Sequence, residues 1–265
     1  MAGDKQQVHI ILVHGACHGA WCWYKLKPLL EAAGHRVTAL DLAASGIDRR
    51  SLEELHTFAD YSQPLLELMA SIPPEEKVVL VGHSLGGMNL AFAMDMYPEK
   101  IKVAVFLTAV MPDSTHKPSY VMEQSVEVKT EDDWSDAEFK PYGHPEKNLT
   151  SVFFGPEFIA TKLYDKCPPE DIELAKMLSR PCCFFVDDLS KKSPFSEKGY
   201  GSVKRVFIIV PEDKAVLPHF QRWQIETCGA HQVKEIHDAD HMVMLSKPKE
   251  LCQCLLEIIA ECDEA

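Results

Sequence analysis

The sequence predicts an α/β fold in which a mainly parallel sheet of six strands is flanked by helices. Three observations predict it. Short runs rich in Val, Ile and Leu recur along the chain, longer amphipathic stretches alternate with them, and 265 residues with 46% hydrophobic side chains suffice for a large core. Near-continuous apolar runs are typical of strands buried on both faces of a parallel sheet, and strands that alternate with helices are joined by right-handed crossovers.

Six strand-like segments carry this alternation. They cover residues 8–13, 36–40, 77–82, 101–107, 203–210 and 232–236. Helix-like stretches lie between and after them, at about 20–33, 57–72, 85–97, 218–228 and 248–262. In the second of these stretches apolar residues recur at three- and four-residue spacing, and Pro73 and Pro74 end the helix because proline interrupts its hydrogen bonding.

The alternation breaks between about 111 and 200. This segment holds 12 of the 23 aromatic residues and has helix-like pieces near 156–164 and 169–179. We therefore expect a core formed by residues 1–110 and 201–265, with residues 111–200 inserted as a cap. Ligands of open α/β folds bind at the carboxyl edge of the sheet, so the cap is expected to lend aromatic side chains to an apolar pocket there.

Charge and cysteine content exclude several classes of function. The chain has 27 basic and 40 acidic side chains and a net charge of −13, which argues against nucleic acid or an anionic membrane as a partner. No apolar stretch reaches the length of a membrane span. The nine cysteines form no C-x-x-C pair, so neither a structural metal nor a disulfide framework is expected. Free thiols and a polar amino-terminal stretch predict a reducing compartment, the cytosol.

Residues 82–86 read Gly-His-Ser-Leu-Gly, a G-x-S-x-G motif between a buried strand and a helix. In this context the serine occupies a sharp, strained turn that presents its hydroxyl at the sheet edge, and the two glycines avoid clashes between strand and helix. The start of the following helix favours negative charge. Ser84 is therefore the predicted nucleophile.

A nucleophilic serine needs a base, and the base needs a carboxylate to orient it. In this architecture the acid and then the base follow the serine, in loops after later strands. The fifth strand-like segment is followed by Glu212 and Asp213, and the sixth by His237 and His241. Position favours Asp213, and it favours His241 because this residue lies far enough along its loop to reach the serine. The residues alone leave both choices open.

The tetrahedral intermediate of acyl transfer needs two backbone N–H donors, one from the residue after the nucleophile and one from the first loop. Leu85 supplies the first. The first loop begins "HGACHGAWCW" at residue 14, and Ala16, just after His14 and Gly15, is the best candidate for the second. The histidines and cysteines of this stretch lack a recurring ligand spacing, so no metal is expected there. A serine nucleophile with its base and acid requires no organic cofactor, so none is expected.

The chain closely resembles the plant methylesterases of the α/β-hydrolase superfamily, and the resemblance extends from about residue 8 to 260. Three segments that carry it are "HGACHGAWCWYKLKPLLEAAGH", "VVLVGHSLGGMNLAFAM" and "DADHMVML". The resemblance implies an α/β-hydrolase fold and a triad of Ser84, Asp213 and His241, with Ala16 and Leu85 as oxyanion donors. It also implies a serine esterase that acts on small methyl esters of plant hormones or specialised metabolites, such as methyl salicylate or methyl jasmonate. Its partners would be the ester, the carboxylate product and, in a homodimer, a second copy of the chain.

The same group contains hydroxynitrile lyases, which use one and the same triad. They carry threonine at the position of Gly15, glutamate at that of His83 and lysine at that of Met242. The lysine places a positive charge beside the departing cyanide, and the threonine crowds the oxyanion loop. Here all three positions are of the esterase type, so the resemblance favours the esterase over the lyase. A receptor that keeps the triad but acts by binding its ligand is the other alternative.

Overall fold

The computed structural model describes residues 7–127, 130–143, 146 and 149–263. The strands in these ranges are β1 (His9–Val13), β2 (Arg36–Leu40), β3 (Val78–His83), β4 (Ile101–Leu107), β5 (Glu138–Tyr142), β6 (Leu149–Phe153), β7 (Cys182–Cys183), β8 (Arg205–Ile209) and β9 (Gln232–Glu235). The α-helices are α1 (Leu26–Ala32), α2 (Phe58–Ser71), α3 (Gly86–Met96), α4 (Tyr120–Glu127), α5 (Glu131–Trp134), α6 (Pro156–Phe158), α7 (Pro169–Leu178), α8 (Val186–Ser190), α9 (Pro218–Cys228), α10 (Val243–Ser246) and α11 (Pro248–Asp263).

Six strands form one parallel sheet in the order β2-β1-β3-β4-β8-β9. Every residue of β1, β3 and β8 is buried, which is why these strands read as unbroken apolar runs. The edge strand β9 alternates between half-buried and exposed residues, because successive side chains point to opposite faces and one face is open to solvent. The predicted six-stranded parallel sheet is therefore confirmed, and the parallel arrangement brings the carboxyl ends of its strands to one edge.

Four of the five predicted core helices form as α2, α3, α9 and α11, within one residue of the expected bounds. The prediction of a helix over 20–33 is wrong. A 3-10 turn covers Ala20–Trp23, and α1 begins only at Leu26. Pro28 has no N–H to donate to the carbonyl of Tyr24, and its ring would clash with that carbonyl, so one helix cannot run through both segments.

Residues 111–200 contain a second sheet, which the sequence pattern does not predict. Strands β5, β6 and β7 pair antiparallel. Strand β5 is largely exposed and contains Pro141, and β7 has two residues, so neither shows a clear alternation of apolar and polar side chains. The predicted helical pieces form as α6 with a π-helical turn (Ile159–Leu163), and as α7. None of the helices in the described ranges is long and apolar enough to cross a membrane.

Candidate active site

Ser84 lies in a sharp turn between β3 and α3. Its φ is +53°, in the left-handed region, where a non-glycine residue costs about 1–3 kcal/mol. A Cβ on Gly82 would lie 2.9 Å from the carbonyl oxygen of Gly86, and a Cβ on Gly86 would lie 2.7 Å from the carbonyl oxygens of Val13 and His14. The turn therefore requires glycine at both positions that flank the serine in the motif.

Asp213 and His241 form a buried hydrogen-bonded pair, with 2.7 Å between Asp213 Oδ2 and His241 Nδ1. The same carboxylate oxygen accepts a hydrogen bond from Thr108 Oγ1 at 2.6 Å, and Oδ1 accepts from the backbone N–H groups of Ala215 and Val216 at 2.7 and 2.9 Å. These donors fix the carboxylate. Because His241 Nδ1 carries the hydrogen in this pair, Nε2 is left to accept a proton.

The two alternative residues, Glu212 and His237, form no hydrogen bond or ion pair with Asp213 or His241 among the described residues. His237 is exposed, and its Nδ1 atom is 3.8 Å from Glu212 Oε1. Of the four candidates for acid and base, the structure brings Asp213 together with His241.

Ser84 and His241 line one cavity, together with the two predicted oxyanion donors, Ala16 and Leu85. Large apolar side chains from residues 111–200 cover much of it, and these include Met122, Trp134, Phe154, Phe158, Leu163 and Phe184. Among the described residues that line the cavity there is no lysine or arginine. No hydrogen bond of the described residues joins Ser84 Oγ directly to His241 Nε2, a contact that commonly tightens only when substrate binds.

Two histidines hold successive carbonyls of the first loop. His14 Nδ1 donates to the Gly15 carbonyl, and His18 Nδ1 donates to the Ala16 carbonyl, each at 2.8 Å. The tautomer of His14 is set because its Nε2 atom accepts from the N–H of Leu42 at 3.1 Å. The Gly15 carbonyl and the Ala16 N–H belong to one planar trans peptide, in which the two groups point in opposite directions. By holding the Gly15 carbonyl, His14 therefore orients the Ala16 N–H away from its own ring. Burial lowers the pKa of both histidines, that of His18 to about 4, so both are neutral at pH 7.

The sequence pattern indicates a role for the backbone of this loop and does not predict the roles of the His14 and His18 side chains. Their rings are used as hydrogen-bond partners of the loop itself, and Cys17 lies buried with its Sγ atom 3.8 Å from Cys182 Sγ. Within the described part of the chain, no three His, Cys, Asp or Glu side chains are grouped as metal ligands. The available signal was the position of His14 at the end of a buried strand, directly before the predicted oxyanion loop.

The sequence model of the alpha/beta hydrolase family matches residues 10–253. The chain belongs to the α/β-hydrolase family. It is 59% identical over 254 residues to salicylic acid-binding protein 2 from Nicotiana tabacum, an alignment that covers 96% of this chain and 98% of that protein. It is 53% identical to methylesterase 1 from Arabidopsis thaliana, in an alignment that covers 97% of this chain and 98% of that protein. The crystal structure of polyneuridine aldehyde esterase, 57% identical, superposes with a TM-score of 0.93 over 96% of this chain and 99% of that one.

In this α/β hydrolase, the three positions at which hydroxynitrile lyases differ pack around the candidate triad. A Cβ on Gly15 would lie 2.8 Å from Ser84 Cβ. His83 Nε2 donates to the carbonyl of His241 at 2.9 Å, and the two rings lie 4.4 Å apart. Burial, and next the neighbouring His241, lower the pKa of His83 well below its usual range, so this ring is neutral. Met242 is completely buried.

Proposed function

We propose that this chain is a serine carboxylesterase that hydrolyses small methyl esters of the methyl salicylate or methyl jasmonate kind. One observation carries the proposal. Ser84, in a strained turn, and the buried pair of His241 and Asp213 line the same apolar cavity. Relatives that are named as an esterase and as methylesterases, and that align with almost the whole chain, support it.

In the proposed acylation step, Ser84 Oγ attacks the ester carbonyl carbon while His241 Nε2 takes the hydroxyl proton. The oxyanion accepts hydrogen bonds from the N–H groups of Ala16 and Leu85. Both residues are buried, and no hydrogen bond found among the described residues occupies either N–H. Asp213 holds the His241 tautomer and stabilises the imidazolium that forms.

His241 then gives its proton to the methoxy oxygen as the bond between this oxygen and the carbonyl carbon breaks, and methanol leaves. A water molecule attacks the acyl-enzyme in the same way. His241 takes the proton of the water and returns it to Ser84 Oγ, so that the carboxylate product is released and the enzyme is restored. No cofactor enters these steps.

The nature of the cavity supports a neutral ester with an apolar acyl group. We propose that residues 111–200 act as a cap, since they supply most of the large apolar side chains around Ser84. A neutral substrate suits a lining without a lysine or arginine among its described residues. The net charge of −13 favours departure of the carboxylate product.

The lyase alternative is disfavoured by the same geometry. Cyanide departure calls for a cation beside the triad, whereas the lyase lysine position holds the buried, uncharged Met242 and His83 is neutral. Gly15 packs so closely on Ser84 that a threonine there would require the first loop to move.

A panel of methyl esters assayed with the wild type and with Ser84→Ala tests the proposal. Many turnovers of at least one ester are expected, with a loss of about 10³-fold or more in Ser84→Ala. Ser119→Ala is a control for the loss of a serine hydroxyl, because Ser119 is buried but does not line the cavity. Retention of more than a few per cent of activity by Ser84→Ala would refute the mechanism. Single turnover with tight binding of the free acid would indicate the receptor, and cyanide release from mandelonitrile would indicate the lyase.

We also propose a compartment and an assembly. All nine cysteines are free thiols, which fits the reducing cytosol. The homodimer implied by the resemblance is tested by measuring the mass of the protein in solution by light scattering.

A further inference from the structure

Residues 164–166 connect the apolar cavity to the three loops that carry the proposed catalytic groups. We call these residues the bridging segment. The loops are the first loop after β1, the acid loop after β8 and the base loop after β9. The bridging segment directly follows the π-helical turn, whose last residue, Leu163, lines the cavity.

Tyr164 joins the bridging segment to the first loop. Its hydroxyl donates to His18 Nε2 at 2.7 Å, and the other nitrogen of this ring donates to the Ala16 carbonyl at 2.8 Å. The two rings are stacked, with centroids 5.8 Å apart and an angle of 11° between their planes. Tyr164 is completely buried and His18 nearly so. The cap and the proposed oxyanion donor are thus linked by two buried hydrogen bonds in series.

Asp165 joins the segment to the acid loop. Its Oδ2 atom lies 2.6 Å from the Nζ atom of Lys214, the residue after Asp213. About half of the Lys214 side chain is exposed, so this ion pair is screened by solvent and is the weakest of the three links.

Lys166 joins the segment to the base loop through its backbone. Its N–H donates to Asp240 Oδ2 at 2.9 Å, and Asp240 directly precedes His241. The other carboxylate oxygen accepts from the N–H of Met242 at 3.0 Å. Asp240 is completely buried, so its two oxygens hold the backbone after His241 and the bridging segment in one fixed arrangement.

We propose that the bridging segment aligns the three loops in response to the acyl group: an acyl group packed against Leu163 fixes Tyr164–Lys166, and these residues fix the oxyanion donor, the acid and the base. The inference rests on the proposed esterase function. Tyr164, Asp165 and Asp240 touch no reacting atom and are positioning residues. Binding energy from the remote part of the substrate would then raise kcat, since it is used for alignment of the reacting groups.

The test compares Tyr164→Phe with the wild type on two methyl esters, methyl benzoate and methyl acetate, which share the methanol leaving group. Tyr164→Phe is expected to lower kcat for methyl benzoate by about tenfold with KM changed by less than about twofold, because misplaced catalytic groups slow the chemical step. The ratio of kcat for methyl benzoate to kcat for methyl acetate is expected to fall as well, since the proposal requires an acyl group large enough to pack against Leu163.

Tyr200→Phe is the matched control. Tyr200 is as deeply buried as Tyr164, and its hydroxyl also makes one hydrogen bond, to the carbonyl of Pro112. If both variants lower kcat equally and reduce the melting temperature equally, Tyr164 has a structural role only and the proposal is overturned. Unchanged kcat in Tyr164→Phe would overturn it too.

Asp240→Asn tests the link to the base loop. The amide keeps one oxygen acceptor but turns an NH₂ group toward the N–H of Lys166 or of Met242. The same fall in kcat for methyl benzoate, and in the ratio of kcat between the two esters, is expected. A fall in stability with this kcat and this ratio at their wild-type values would contradict the proposal. Failure of the esterase function itself is recognised separately, because the wild type would then turn over no ester, or Ser84→Ala would remain active.

Discussion

Gly15 and Ser84 are in direct contact: a Cβ atom on Gly15 would lie 2.8 Å from the Cβ atom of Ser84, and 3.1 Å from Nδ1 of His83. The first loop is therefore packed on the turn of Ser84 without space for a side chain at Gly15. Because the next residue, Ala16, is a proposed oxyanion donor, this contact sets the distance between the proposed nucleophile and that donor.

Gly15→Ala is expected to lower kcat by about 10²-fold, because the added methyl group pushes the first loop away from Ser84 and misplaces the Ala16 N–H. Steady-state kinetics on the best methyl ester measures the effect. Gly201→Ala is a suitable control, since its added Cβ would meet only the flexible end of Glu197 at 2.5 Å. Equal activity of the two variants would show that the contact with Ser84 is unimportant.

His14→Leu is expected to lower kcat by about tenfold or more with little change in KM, because the Gly15–Ala16 peptide loses the hydrogen bond that orients it. His14→Gln, which can still donate to the Gly15 carbonyl, should recover part of the loss. His9→Leu removes another buried histidine of the same chain segment, at the amino end of β1, and controls for the loss of a buried ring. A loss shared equally by His9→Leu and His14→Leu would contradict the assignment.

The buried histidines predict a loss of stability in acid. Burial lowers the pKa of His14, His18 and His83, that of His18 from 6.5 to about 4. Below pH 6.5 the unfolded chain binds protons that the folded protein does not, so the free energy of unfolding is greatest above this pH and falls as the pH drops toward 4. For His18 the difference amounts to about 3 kcal/mol.

Urea unfolding at pH 7.5, 6 and 5 measures this loss, and His18→Phe is expected to lose less stability over the range than the wild type. Asp240 acts in the opposite direction, because burial raises its pKa. The contribution of Asp240 to the free energy of unfolding is present at low pH and is lost as the pH rises through its raised pKa. It therefore offsets part of the stability that protonation of the histidines removes in acid. Identical pH dependence in His18→Phe and the wild type would show that His18 is not responsible.

The cysteines predict a simple pattern of thiol labelling. Seven of the nine are buried, and only Cys254 and Cys262 are partly accessible. Burial raises the pKa of Cys254 to about 11, so it forms little thiolate at pH 8. With a disulfide-exchange reagent, at most two thiols should react quickly in the folded protein and all nine in denaturant. Fewer than nine in denaturant would indicate a disulfide.

The sequence was most informative where a feature depends on neighbouring residues. The apolar runs predicted the central strands because every residue of β1, β3 and β8 is buried. The glycines around Ser84 predicted its turn, since the clashes that they avoid are within a few residues. Residues 111–200 were the least predictable part of the chain, because a strand of two residues has no periodicity.

The sequence by itself determined the α/β class, the sharp turn at Ser84 and the position of the first loop, because short-range sterics and burial patterns decide these features. Only the tertiary structure showed that Asp213 meets His241, 28 residues away, and that Tyr164 meets His18 at a separation of 146 residues. It also showed that the rings of His14 and His18 hold the carbonyls of Gly15 and Ala16 in the first loop. Such contacts depend on how distant segments pack against each other, and no local pattern of the chain encodes which polar groups then come within hydrogen-bond distance.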